Sequence, residues 1–235
     1  MKIEIWSDYV CPFCYIGKRR LEEALKATDL EGKAEVVFKA YQLDPNTPVG
    51  AGGAVPEDLS KKYGISLDEA KRMLDNVAAQ AKTVGLNFDV DRMKGANTFN
   101  AHRLAKLAEA EGKGDAVSER LLQGHFVEGE AVDNEDTLLA IAEGAGISKE
   151  RAEQLLQSDE FANDVKIDIE EAGQIGVRGV PFFVINRKYA ISGAQPVEAF
   201  TEALQKVAAE EGIQPQLKVL GTEGQGVCTD DNCDI

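Results

Sequence analysis

The 235-residue sequence lacks any apolar run near the roughly 18 residues that a membrane-spanning helix needs. It also lacks the apolar core of a secretory signal, because Lys2, Glu4 and Asp8 interrupt its beginning. Basic residues are too few to attract polyanions, since 26 Lys and Arg stand against 41 Asp and Glu, a formal net charge of −15. We therefore expect a cytoplasmic protein whose partners include neither nucleic acid nor membrane.

Cysteine and histidine are also scarce. Four cysteines in a chain of this length are too few for a disulfide-stabilised scaffold, and in a reducing compartment they indicate redox or metal chemistry. The two histidines, His102 and His125, lack the spacing of metal ligands, and we expect His102 to be a buried, hydrogen-bonded residue. The sequence therefore predicts no metal site built on histidine, and it predicts no cofactor.

The hydrophobic pattern begins with strand, helix and strand. The alternating run Ile3-Glu4-Ile5-Trp6 predicts the first strand, residues 15–25 carry one apolar helical face, and residues 34–41 are rich in β-branched and aromatic side chains. This order predicts a parallel strand pair joined by a right-handed crossover. Three prolines and three glycines then predict a loop at residues 44–56, followed by more than a hundred residues of helical periodicity. A hairpin and a last helix follow, so the pattern predicts an α/β fold with a large all-helical insertion.

The strongest chemical signal is Cys11-Pro12-Phe13-Cys14, between the first strand and the first helix. A helix N-terminus carries unpaired N–H groups and a partial positive charge, which favour a thiolate on Cys11. We therefore predict that Cys11 is the attacking nucleophile at an exposed helix tip. Cys14, one turn further along, is predicted to be the more buried resolving thiol, which attacks the mixed disulfide and releases the substrate. The same spacing also fits half a zinc site, which would need two more ligands.

Three separated motifs extend this signal: SDYVCPFC at residues 7–14, ANTFNAHR at 96–103 and GVRGVPFF at 176–183. Together they resemble the FrnE-like members of the DsbA family of thioredoxin-fold oxidoreductases, and the similarity extends to about Gly212. The resemblance implies a thioredoxin-like fold with a large all-helical insertion. The domains expected from it are a discontinuous thioredoxin-like domain of residues 1–45 and 172–212, a helical insertion of residues 46–171 and a C-terminal tail of residues 213–235.

The resemblance also implies a site around the first cysteine pair. Val180-Pro181 is expected to be a cis peptide packed opposite Cys11, whereas the sequence alone leaves an ordinary trans proline at a strand start as an alternative. A substrate strand would pair with the Val180 backbone while its sulfur meets Cys11. The expected catalytic residues are Cys11, Cys14 and Pro181, and the expected substrate-binding residues are Pro12, Phe13 and Val180.

A second cysteine pair, Cys228 and Cys233, lies near the end of the sequence. Some FrnE-like members carry such a C-x4-C pair, and the resemblance implies that it exchanges electrons with the first pair. Nearby aspartates disfavour thiolates, so the pair suits a resolving or stored disulfide better than an attacking role. There are two alternatives for this pair. The cysteines are either unrelated thiols in a loosely packed tail, or ligands of a soft metal ion together with the acidic residues.

These observations predict a protein disulfide oxidoreductase or isomerase that acts on thiols and disulfides of other proteins. Glutathione and a thioredoxin-type reductant are the candidate electron donors. One alternative is a glutathione-dependent isomerase or transferase of the same fold, although those proteins typically have serine at the first position, where this chain has Cys11. The other alternative is a non-enzymatic redox or metal sensor that uses both cysteine pairs.

Overall fold

The computed structural model describes residues 1–50, 52–213, 228–229 and 232–233. The chain opens with strand β1 (Lys2–Ser7), helix α1 (Pro12–Ala27) and strand β2 (Glu35–Ala40). β1 and β2 are parallel, with Ser7 opposite Ala40, which confirms the predicted strand–helix–strand opening. Because the carboxyl ends of parallel strands share one edge of the sheet, the segment that carries Cys11 and the segment after Ala40 emerge side by side.

Helices follow from residue 55 to residue 174. They are α2 (Val55–Tyr63), α3 (Leu67–Lys82), α4 (Phe99–Ala110), α5 (Gly114–Gln123), a π-helical turn (Gly124–Glu128), α6 (Glu135–Gly144), α7 (Lys149–Leu156) and α8 (Ala162–Gln174). Helix α2 begins inside the predicted loop, because Pro56 lies in the first helical turn, where no N–H is needed. Ser66 and Glu69 form a capping box at the start of α3.

The sheet is completed by the predicted hairpin of β3 (Phe182–Ile185) and β4 (Tyr189–Ser192), and helix α9 (Val197–Glu210) follows. The strand order is β2-β1-β3-β4, and β3 runs antiparallel to both of its neighbours. Residues Ile3 and Ile5 of β1 pack in one core cluster with residues of α1 and α9. Trp6 points to the opposite face, where its indole N–H donates to the Asp168 carbonyl of α8 at 2.9 Å. The sheet is therefore covered by helices on both faces.

A larger apolar cluster lies among the helices between β2 and β3. Tyr9, Tyr15 and Ile16, which flank the first cysteine pair, belong to this cluster. The segment with the two cysteines is thus held between the sheet and the helices. The expected domain boundary between residues 171 and 172 falls inside α8, and the division of the chain into domains stays a prediction.

The last described residues form a short antiparallel pair, Cys228–Thr229 with Asn232–Cys233, in which Cys228 lies opposite Cys233. The side chains of these two cysteines, and the rest of the predicted tail beyond residue 213, lie outside the described residues. Their predicted redox role therefore stays a prediction. No helix in the described part of the chain has both the length and the apolar character needed to cross a bilayer.

Candidate active site

The first cysteine pair lies where β1 passes into α1. Cys11 is the N-cap residue of α1, with extended backbone angles, and Pro12 occupies the first turn. The Cys14 N–H donates to the Cys11 carbonyl at 3.0 Å. Because the two cysteines bracket this single turn, both thiols lie at the same end of the helix.

The prediction that Cys11 is exposed is wrong. Only 4% of the residue is accessible, because its Sγ turns toward the loop before β3 and its thiol donates to the Val180 carbonyl at 3.4 Å. The Cys11 side chain makes no capping hydrogen bond with the first N–H groups of α1. Phe13, in contrast, is exposed, and Val180 is partly exposed. A molecule that approaches from solvent therefore meets Phe13 and Val180 before it reaches the Cys11 sulfur.

The Val180–Pro181 peptide bond is cis, which confirms the expectation drawn from the family resemblance. Its loop approaches α1 closely because Gly17 has no side chain. A Cβ at position 17 would lie 3.0 Å from Cγ of Pro181 and 3.1 Å from the ring of Phe183. Gly17 therefore sets how near the Val180 carbonyl comes to Cys11, and no motif in the sequence indicated this role.

Cys14 is more deeply enclosed than Cys11, with 2% of the residue accessible. The Asp8 N–H donates to Cys14 Sγ at 3.5 Å. Burial first, and then the neighbouring Cys11, raise the pKa of the Cys14 thiol well above its ordinary value. Cys14 is thus a protonated thiol at neutral pH, and it must lose its proton before it can act as a nucleophile.

The Asp8 side chain is almost fully buried beside the cysteines. One carboxylate oxygen accepts from the Leu43 N–H at 2.8 Å, and the other lies 3.4 Å from Nε2 of His102. His102 is buried and its Nε2 lies 2.9 Å from the Tyr41 carbonyl, which confirms the expected buried, hydrogen-bonded histidine. Asp8 therefore fixes the segment after β2 against the cysteine segment.

A second buried histidine lies deeper among the helices. His125 is in the π-helical turn, where its ring packs edge-on against Phe126. Burial lowers its pKa to about 4, against the opposing influence of Asp8 and Asp133. It is therefore neutral over the physiological range. Within the part of the chain that the structure describes, no group of three or more His, Cys, Asp or Glu side chains is arranged to hold a metal ion.

Comparison with known proteins shows which family the chain resembles. Residues 2–205 match the model of the DSBA-like thioredoxin domain. The structure of a probable DsbA oxidoreductase from Streptomyces coelicolor has 37% sequence identity and a TM-score of 0.84, and the match covers 100% of this chain and 99% of that one. These likenesses confirm the predicted thioredoxin-like fold with its helical insertion.

Two more distant structures share the fold. A 2-hydroxychromene-2-carboxylate isomerase has 18% identity and a TM-score of 0.70, with 90% of this chain and 98% of that chain covered. The cytosolic disulfide reductase DsbM from Pseudomonas aeruginosa, solved with glutathione, has 18% identity and a TM-score of 0.62, with 89% and 100% covered. At this level of identity the two comparisons establish the architecture alone.

Proposed function

Since the chain belongs to the DSBA-like thioredoxin domain family, we propose that it is a thiol–disulfide oxidoreductase that acts on cysteines of other proteins through Cys11 and Cys14. One observation carries the proposal. Two thiols lie in the first turn of α1, and the Sγ of the first is 3.4 Å from the Val180 carbonyl, on a partly exposed loop. This arrangement brings a nucleophilic sulfur and a main-chain acceptor for a substrate strand to the same place.

The proposed reaction proceeds through a mixed disulfide. The Cys11 thiolate attacks a substrate disulfide, one substrate sulfur leaves and takes up a proton, and the other stays bound to Cys11. Cys14 loses its proton and attacks Cys11 Sγ, which forms the Cys11–Cys14 disulfide and releases the second substrate thiol. The reverse sequence oxidises a substrate dithiol. Because Cys11 no longer donates to Val180 once it is in the mixed disulfide, the carbonyl becomes free for the substrate backbone.

Four finer assignments belong to this proposal. The motifs of residues 7–14, 96–103 and 176–183 support a place in the FrnE-like subgroup. Glutathione is a candidate reductant, as is a thioredoxin-type protein, and DsbM was solved with glutathione. A cytosolic location and an exchange of electrons with Cys228 and Cys233 complete the proposal. The presence of Cys11, where glutathione-dependent isomerases of this fold typically have serine, argues against the isomerase alternative.

Trapping of the mixed disulfide tests the proposed function. In Cys14→Ala the second step is blocked, so we expect covalent adducts on Cys11 after expression in cells, identified by mass spectrometry without reductant. The control is the double variant Cys11→Ser/Cys14→Ala, which should carry none. Proteins attached to Cys11 support the proposal, and attachment of the chain's own tail supports the relay. Glutathione as the sole adduct, or no adduct in either variant, would contradict an exchange with proteins.

The role of Gly17 gives a second prediction. In Gly17→Val the new side chain meets Pro181 and Phe183, so we expect the Val180 carbonyl to move away from Cys11. Misplacement by about 1 Å lowers the rate of disulfide exchange by about tenfold to a hundredfold. Overpacking should also lower the free energy of unfolding by about 1–3 kcal/mol. Insulin reduction and urea unfolding measure the two effects.

The matched control is Gly173→Val in α8, since a Cβ there would have no neighbour within 4 Å among the residues that the structure describes. This variant should keep its rate of insulin reduction, because α8 lies across the sheet from the cysteine pair. Full activity in a folded Gly17→Val protein would show that the approach of the Pro181 loop is unimportant.

A further inference from the structure

We propose that the hydroxyl of Ser7 and the main-chain N–H of Asp8 form a pair of donors that stabilises the thiolate of Cys14 during the resolving step. This inference rests on the proposed function, because the step exists only if Cys14 attacks a mixed disulfide on Cys11. It assigns to Ser7 the role of a residue that touches a reacting atom. The sequence alone gave this serine no role beyond its place in a motif.

The position of Ser7 follows from the strand that it ends. Side chains alternate along β1, and Ile3 and Ile5 pack with α1 and α9. Ser7 therefore points to the same face, toward the first turn of α1, where Cys14 lies. Ser7 is 3% exposed, and its carbonyl accepts from the Tyr41 N–H at 3.1 Å, so its backbone is fixed.

The Ser7 hydroxyl is unusual because it is buried and has no hydrogen-bond partner of normal geometry among the described residues. Buried hydroxyls are nearly always paired, and an alanine would fill the same space without the cost of an unpaired group. The hydroxyl is close enough to Cys14 to lower the pKa of that thiol, against the larger effect of burial. The second donor, the Asp8 N–H, already reaches Cys14 Sγ at 3.5 Å.

These donors matter at one point of the reaction. The Cys14 thiol releases its proton, and its sulfur attacks Cys11 Sγ. The Cys14–Cys11 bond forms, the Cys11–substrate bond breaks, and the electron pair and a proton go to the departing substrate sulfur. A negative charge thus exists briefly on a sulfur that is almost fully buried. Donors that are already in place stabilise this charge without reorganisation at the moment of reaction, as an oxyanion hole does.

The size of the effect follows from two opposing trends. A loss of the Ser7 donor raises the pKa of Cys14, so less thiolate is present at neutral pH. The remaining thiolate is more basic and therefore more nucleophilic. This offsets a little under half of the decrease in the logarithm of the rate. A hydrogen bond to a charged group corresponds to about one to two pKa units. The resolving step of Ser7→Ala should therefore be slower by about threefold to tenfold.

The experiment separates the attack by Cys11 from the resolution by Cys14 in a single time course of absorbance. The full chain, with Cys228 and Cys233 replaced by serine, is reduced and mixed with 5,5′-dithiobis(2-nitrobenzoate). Attack by Cys11 releases one coloured thiolate, and resolution by Cys14 releases a second. In Ser7→Ala we expect an unchanged first phase and a second phase that is about threefold to tenfold slower at neutral pH. The pH profile of the second phase should move to higher pH.

Ser7→Thr is the matched variant, because threonine keeps the hydroxyl and suits a strand. It should restore the second phase to near the original rate. The other titratable groups around Cys14, namely Cys11, Asp8 and Tyr9, are the same in each protein, so a difference in pH profile reports on position 7. An unchanged second phase in Ser7→Ala would overturn the inference, and so would equal slowing of both phases in both variants. If the parent protein has no second phase, the proposed dithiol exchange fails together with this inference.

Discussion

Replacement of Cys11 by serine is expected to lower the rate of insulin reduction by about a thousandfold or more, to the uncatalysed level. A serine hydroxyl is not ionised at neutral pH and forms no disulfide, so the first bond of the proposed reaction cannot be made. The substitution should leave the fold intact, since a hydroxyl occupies the space of the thiol and is able to donate to the Val180 carbonyl in its place. Thermal unfolding and circular dichroism check that the variant is folded.

Two further variants test whether the loss of activity is specific to Cys11. Cys14→Ser keeps Cys11, so it should form a mixed disulfide in a single turnover and then stop. The double variant Cys228→Ser/Cys233→Ser should keep insulin reduction when a small thiol is the electron donor, because the tail pair is proposed only as a relay. Residual turnover by Cys11→Ser would place the nucleophile elsewhere. Loss of turnover in the double variant alone would make the tail pair the primary centre.

The sequence predicts those features of this site that depend on neighbours along the chain. Cys11 and Cys14 are within one helical turn, and the strand, helix and strand around them are consecutive in the chain. In each case the physical cause acts over a few residues. A pattern of residue types is therefore sufficient to find the cysteine pair, whereas the cis peptide at Pro181 opposite Cys11 was expected only from the family resemblance.

The features that were predicted wrongly or missed from the sequence depend on contacts between distant parts of the chain. Cys11 is covered because its sulfur contacts Val180, 169 residues away, and an N-cap position in the sequence carries no sign of that contact. Gly17 resembles any glycine in a helix until the Pro181 loop is packed against it. Ser7 is an ordinary polar residue at a strand end until the direction of the strand aims it at Cys14. Tertiary packing, which local patterns do not encode, determines each of these roles.

His125 provides the second large expected effect, a loss of stability in mild acid. In the unfolded chain its pKa is about 6.5, whereas burial lowers it to about 4 in the folded protein. Between these two values the unfolded state binds a proton that the folded state does not bind. The contribution is therefore fully present above pH 6.5 and is lost as the pH falls toward 4. At about 1.36 kcal/mol per unit, the free energy of unfolding should decrease by about 3 kcal/mol over this interval.

The histidine contribution is separated from that of the many carboxylates by comparing the free energy of unfolding of the parent protein with that of His125→Leu. His125→Leu removes the titrating ring and leaves Asp8 and Asp133, the charged groups that act on it, in place. At pH 7 the ring is largely neutral in the folded and the unfolded chain, so the difference in the free energy of unfolding by urea between the two proteins at that pH is the reference value. Between pH 6.5 and pH 4 the parent protein should lose about 3 kcal/mol relative to His125→Leu, since only the parent protein loses the histidine contribution. Parallel curves would mean that His125 takes up its proton in the folded state as readily as in the unfolded chain. The ring would then have to reach water or share a proton with Asp8 or Asp133, and the helices around the π-helical turn would be packed more loosely than their burial indicates.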